Sequence, residues 1–134
     1  VVKDVVFLTQ EEIDAIYNKK ISNKSLERVK DLFIFSTYTS LAYCDVKELK
    51  KEHIVKNIDG YRWIKIARRK SEVVCDIPLL PIAEEIIKKY EKDPLVINSG
   101  KLLPVLSNQK INIFLKDVGD LCGISKKLHF NHRA

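Results

Sequence analysis

The sequence predicts an α+β fold that is mainly α, with helices on either side of a three-stranded antiparallel β-ribbon. Three observations predict it. Residues 9–49 carry apolar side chains at helical spacing, residues 53–77 switch to alternation with period two, and residues 81–118 return to helical spacing. An Asp-Gly turn signal, Asp59-Gly60, sits inside the alternating stretch. The 134 residues suffice for one domain, 1–134, with a buried core, and no linker, repeat or low-complexity stretch divides them.

The elements follow in order. Thr9-Gln10-Glu11-Glu12 has the spacing of a capping box, so a helix is expected over about residues 10–19, with Ile13 and Ile16 on its buried face. Residues 22–25 read as a turn and cap. A longer helix over 25–39 follows, with Leu26, Val29, Leu32, Phe33 and Ser36 at helical spacing, then a short one over 41–49. Strands are expected at 53–56, 61–67 and 72–77. In the second strand Arg62, Ile64 and Ile66 share one face, and Tyr61, Trp63 and Lys65 the other. Arg68-Arg69-Lys70-Ser71 joins the second and third strands as a basic loop. Pro81 suits the first turn of a helix over 81–92, with Ile82, Ala83, Ile86, Ile87 and Tyr90 as its stripe. Residues 93–104 read as a loop with Leu95-Val96-Ile97 as a buried crossing. Ser107 caps a last helix over 107–118, which Gly119 or Gly123 ends.

Bulk properties narrow the functional classes. A balance of 46% apolar to 31% charged residues is that of a globular chain rather than a disordered one. No run approaches a membrane span, and the start has no signal-peptide pattern. Cys44, Cys75 and Cys122 are far apart and form no Cys-x-x-Cys pair, which argues for reduced thiols in a cytoplasmic protein and against a metal site. The net charge of +6 favours a polyanionic partner without identifying it. The chain has no methionine and stops at Arg133-Ala134, so it reads as a piece of a longer protein.

Several segments carry a family resemblance in the right order. Thr39-Ser40-Leu41-Ala42, followed by Asp45 and Val46, resembles the first active-site box of the tyrosine recombinases, the phage-integrase family. That box usually reads Thr-Gly-Leu-Arg, two residues, an acidic residue and an aliphatic one. Phe7–Glu12 resembles the opening of the family's catalytic domain. Trp63-Ile64 with Arg68, Lys70 and Ser71 resembles its ribbon signature, Arg-x-Lys-Thr, with serine for threonine. Ile77-Pro78-Leu79, residues 107–112 and Cys122-Gly123-Ile124 fit the strand exit, the later helix and the turn before the second box. The resemblance spans about residues 7–132 and implies a helical catalytic-domain-like fold of this family.

It also implies a chemistry. Members of the family attack a DNA phosphodiester with a tyrosine and form a 3′-phosphotyrosyl link, without a metal or cofactor. Arginines meet the charge that develops on the phosphate, where each such donor in a dry site is worth ~3–4 kcal/mol. Lys70 occupies the place of the ribbon lysine, the general acid for the leaving 5′-oxygen, and the adjacent Arg68 and Arg69 favour its losing a proton. Ala42 stands in the usual arginine slot and offers no donor, although some integrases of mobile elements lack this arginine and remain recombinases. Asp45 matches the acidic position, where it orients neighbouring groups or caps the short helix. The second box, His-x-x-Arg, corresponds to His132 if residue 135 of the longer protein is arginine. Asn131 and His129 are rival registers. His132 is then catalytic, and Arg68, Arg69, Lys70 and Arg133 are expected to contact DNA.

Tyr17, Tyr38, Tyr43, Tyr61 and Tyr90 all fall at the wrong place for the nucleophile. The resemblance therefore implies double-stranded DNA as partner and a chain inactive by itself. It also implies a monomer here and a tetramer on DNA for the longer protein. A non-catalytic DNA-binding or architectural protein on the same fold is the alternative. A generic basic helical protein, with helix across residues 61–77, is a third.

Overall fold

The computed structural model of the chain describes residues 8–41, 43–67 and 74–124. The elements are α1 (Gln10–Asn18), α2 (Lys24–Thr39), α3 (Tyr43–Glu48), a 3-10 turn (Lys51–His53), β1 (Ile54–Lys56), β2 (Arg62–Ala67), β3 (Val74–Pro78), α4 (Pro81–Tyr90), α5 (Pro94–Ser99) and α6 (Asn108–Leu121). Helices dominate, and the three strands form one antiparallel sheet in the order β1-β2-β3. Among the described residues of 61–77, where a purely helical protein would need helix, β2 and β3 are found instead. Two compact units divide the described residues, one of 8–34 and 106–124 and one of 35–105.

The first unit contains α1, α6 and the N-terminal part of α2. At α1 the Thr9 hydroxyl accepts from the Glu12 amide at 3.1 Å, and the Glu12 carboxylate accepts from the Thr9 amide at 2.8 Å, closing a reciprocal box. Asn23 caps α2 by accepting from the Leu26 amide. Lys30 is almost fully buried. Its ammonium donates to the carbonyls of Tyr17 and Lys19 at the end of α1, and to Glu27. This charge satisfies carbonyls that a helix end leaves orphaned, and it meets the negative end of the α1 dipole. Ile111, Leu115 and Val118 are the buried stripe of α6, whose first turn Ser107 caps. The helix passes through Gly119 and ends at Gly123 (φ 70°), where the amides of Gly123 and Ile124 reach back to the carbonyls of Asp120 and Gly119. That paired pattern is a Schellman motif, which favours glycine in the left-handed position.

The second unit contains the end of α2, α3, the sheet, α4 and α5. Register pairs Ile54 with Ile64 and Ile64 with Ile77 on one face, and Val55 with Trp63 and Trp63 with Pro78 on the other. Ile64 and Ile66 are buried while Lys65 is exposed, as alternation requires. The β1–β2 turn closes through Gly60 N–H to the Asn57 carbonyl at 2.9 Å, with Gly60 at φ 89° and the Asp59 carboxylate accepting from the Tyr61 amide. His53 lies in the 3-10 turn rather than in the first strand, because its Nδ1 accepts from the Lys50 amide. On α4, Ala83, Ile86, Ile87 and Tyr90 are buried.

Residues 93–104 correct the sequence reading. Part of that expected loop is α5, and of the expected crossing only Val96 is buried, while Leu95 and Ile97 are exposed. The cause is local. Asp93 accepts from the Leu95 amide as N-cap, Pro94 occupies the first turn, and Gly100 at φ 73° ends the helix. Leu102 and Leu103, further along, are the buried residues.

Candidate active site

The first-box segment is built as a tight exit from α2. Ser40 has φ 62°, the left-handed region, in the position where the family motif carries glycine. A side chain there costs ~1–2 kcal/mol, which is the physical reason for glycine in that motif. The turn is tied by short bonds. The Ser40 amide donates to the Ser36 carbonyl at 2.8 Å, the Ser36 hydroxyl donates to the Leu41 carbonyl at 2.6 Å, and the Thr39 hydroxyl donates to the Phe35 carbonyl at 2.8 Å. Leu41 is fully buried, which fixes where the chain re-enters a helix.

Asp45 follows on α3 and is 0% exposed. Neither of its carboxylate oxygens has a hydrogen-bond partner among the described residues. The helix cap expected of Asp45 is therefore not made there. A carboxylate removed from water without donors is costly, so such a group is kept only where something offsets it. Tyr43, two residues earlier, is also buried, and burial pushes its phenol above the ordinary value of 10.0.

The connection between β2 and β3 is the second segment where site residues are expected. β2 and β3 pair antiparallel up to Ala67 and Val74, the residues that flank 68–73. Arg68, Arg69 and Lys70, expected as phosphate contacts and general acid, lie outside the described residues. So do Ala42 and the second-box candidates His129, Asn131 and His132 with Arg133. Of the expected site residues, Asp45 alone is described.

Sequence reasoning missed a cleft of about 660 Å³ in the second unit, lined by Lys51, Ile54, Lys56 and Arg62, by Glu84, Glu85, Ile87 and Lys88 of α4 with Glu91 just after it, and by Leu102. Arg62 Nε donates to Glu84 Oε1 at 2.9 Å, and Arg62 Nη2 donates to the same oxygen. The signal was present in part. Period two placed Arg62 on the Ile64 face, but which residue of α4 meets it depends on packing over 22 residues. The cleft mixes both signs of charge, and Asp45 does not line it. Among the described residues no group of His, Cys, Asp and Glu could hold a metal ion, and no helix is long and apolar enough to cross a membrane.

The mainly helical chain with its three-stranded antiparallel sheet has the helical tyrosine-recombinase catalytic-domain-like fold. No protein-family model and no curated protein matches the sequence. Among solved structures, the crystal structure of XerA recombinase is similar, with a TM-score of 0.62 and 17% identity over 92% of this chain. At that identity the likeness establishes the fold. The chain spans about half, 46%, of the length of that recombinase.

Proposed function

We propose that the chain is a catalytic-domain portion of a DNA integrase or site-specific recombinase of the tyrosine type, acting on double-stranded DNA. The observation that carries this reading is the turn at Ser40. Its left-handed residue stands where the resembling motif has glycine, and the chain as a whole is similar in fold to XerA recombinase, which supports the reading.

On this reading a tyrosine oxygen attacks the scissile phosphorus, a 3′-phosphotyrosyl bond forms, and the bond to the 5′-oxygen breaks. Lys70 gives the leaving 5′-oxygen its proton, which keeps a high-energy alkoxide from forming. Arg68, Arg69 and Arg133 bind phosphates, and His132 contacts the reacting phosphate or moves a proton. The bond energy stays in the phosphotyrosyl link, so rejoining needs no cofactor. Tyr43 and Tyr90 are buried, and none of the chain's five tyrosines takes the nucleophile's place. Residues 1–134 therefore bind DNA as a monomer and do not cut it, and the tetramer belongs to the longer protein on DNA.

A second reading rests on Ala42. Without the arginine donors, the same fold serves as a non-catalytic DNA-binding or architectural protein. Both readings expect DNA binding, and covalent capture of DNA by the longer protein separates them. An adduct supports the enzyme, and binding without an adduct supports the architectural protein.

A further inference from the structure

The proposed function leaves unused the cleft lined by the first two strands and α4. Its lining has three components. Lys51, Lys56, Arg62 and Lys88 are cations, Glu84, Glu85 and Glu91 are carboxylates, and Ile54, Ile87 and Leu102 add an apolar surface. Arg62 is engaged with Glu84, whereas the ammonium groups of Lys51, Lys56 and Lys88 are exposed and have no ion-pair partner among the described residues. Four cations against three carboxylates leave the lining close to neutral. A chain of phosphates would meet those carboxylates and be repelled, and a wholly apolar ligand would cover charges without pairing them. A protein segment with both signs of charge around an apolar side chain matches all three components. The volume, about 660 Å³, suits a few side chains. Beside the cleft, the turn between the paired Lys56 and Arg62 presents Ile58 and Tyr61, large and exposed, as surfaces that bind proteins do.

We infer that this cleft is a docking site for a segment of a partner protein in which an apolar residue stands between an acidic and a basic one. The apolar side chain rests on Ile54, Ile87 and Leu102, the acid meets Lys51 and Lys56, and the base meets Glu91. The inference does not rest on the DNA-acting reading. β2 runs from Arg62 to Ala67, about 17 Å at the rise of a strand, and Ala67 is the residue that leads into 68–73. A segment seated beside Arg62 is therefore at the far end of the strand from Ala67.

The experiment selects random short peptides, displayed on phage, against the 134-residue chain. Enriched peptides are synthesised, and fluorescence polarisation gives their affinities for the parent chain, for Lys51→Glu/Lys56→Glu and for Glu91→Lys, with circular dichroism to confirm folding. All three positions are exposed, so the variants are expected to fold. The expected peptides carry an apolar residue between an acidic and a basic one. Their affinity falls roughly tenfold for each variant, and lysine in place of the peptide's acidic residue restores affinity for Lys51→Glu/Lys56→Glu. Should a charge reversal not fold, Lys51→Ala/Lys56→Ala and Glu91→Ala take its place, with an expected loss of roughly threefold. No enrichment, enriched peptides of a single charge sign, or affinities that the variants leave unchanged overturn the inference. Two other occupants are read with the same proteins. A short duplex that displaces the peptides and loses affinity in Lys51→Glu/Lys56→Glu makes the cleft a nucleic-acid surface. Self-association in sedimentation that Lys51→Glu/Lys56→Glu abolishes makes it a contact between copies of the chain. Either result overturns the inference too.

Discussion

At the scale of single residues, backbone conformation and burial decide more than side-chain identity does. Ser40 shows this. Its φ of 62° is invisible to any propensity argument, yet the motif's glycine at that position announces it. Its side chain is exposed, so nothing packed is lost on truncation. Ser40→Gly is expected to stabilise the chain by about 1 kcal/mol, read as a higher urea midpoint at unchanged m-value. Tyr43 gives a pH dependence. Burial raises its folded-state pKa above 10.0, so between the unfolded and folded values the folded chain holds the extra proton. The stability from this group is present below pH 10.0 and is lost as pH rises through the folded value. The Cys122 thiol is likewise raised above 9.0 by burial, with Lys19 and Lys30 opposing, so its contribution starts to be lost about one unit lower. Denaturation of Tyr43→Phe across the alkaline range should show a flatter loss above pH 10 than the parent chain.

At the scale of elements, local chemistry was legible and long-range packing was not. The capping residues Thr9 and Ser107 do in space what their spacing to Glu12 and Lys110 suggests, because a cap needs only a few neighbouring residues. The Asp59-Gly60 turn closes for the same reason. The missed helix α5 had its signals, Asp93-Pro94 before it and Gly100 after it. Its six residues are too few to show a period, and the apolar Leu95-Val96-Ile97 run mimics a buried crossing. Asp93 is buried and holds the first turn through the Leu95 amide. Asp93→Ala should therefore cost about 1 kcal/mol of stability in urea denaturation. The Arg62–Glu84 pair, which joins β2 to α4, is half-exposed on both sides and belongs with surface pairs that contribute little. No sequence rule pairs residues 22 apart in different elements, which is why the cleft beside it went unforeseen.

At the scale of the whole molecule, the net charge of +6 suits a polyanionic partner, which the proposed function takes to be DNA. On that proposal, if about five cations contact phosphates, the log–log slope of DNA affinity against salt is expected to be roughly −4 to −5. A flat response would remove the DNA-facing surface from the account. The fold class was legible because two changes of hydrophobic period bracket the ribbon, and a period is a property of the chain alone. The site was legible only as a motif. In sequence Asp45 reads as a residue that orients neighbouring groups or caps the short helix, whereas its burial without hydrogen-bond partners among the described residues is a matter of packing, which no local pattern encodes. The central claim is covalent chemistry, and one measurement addresses it most directly. On the proposed function, a longer protein containing this chain would be incubated with a duplex that carries its recombination site and is nicked so that the cut product is trapped. The expected result is a denaturation-resistant protein–DNA adduct on a 3′-phosphate with a free 5′-hydroxyl, abolished when the proposed nucleophilic tyrosine is changed to phenylalanine. Tight, salt-dependent binding to the same duplex with no adduct would contradict it.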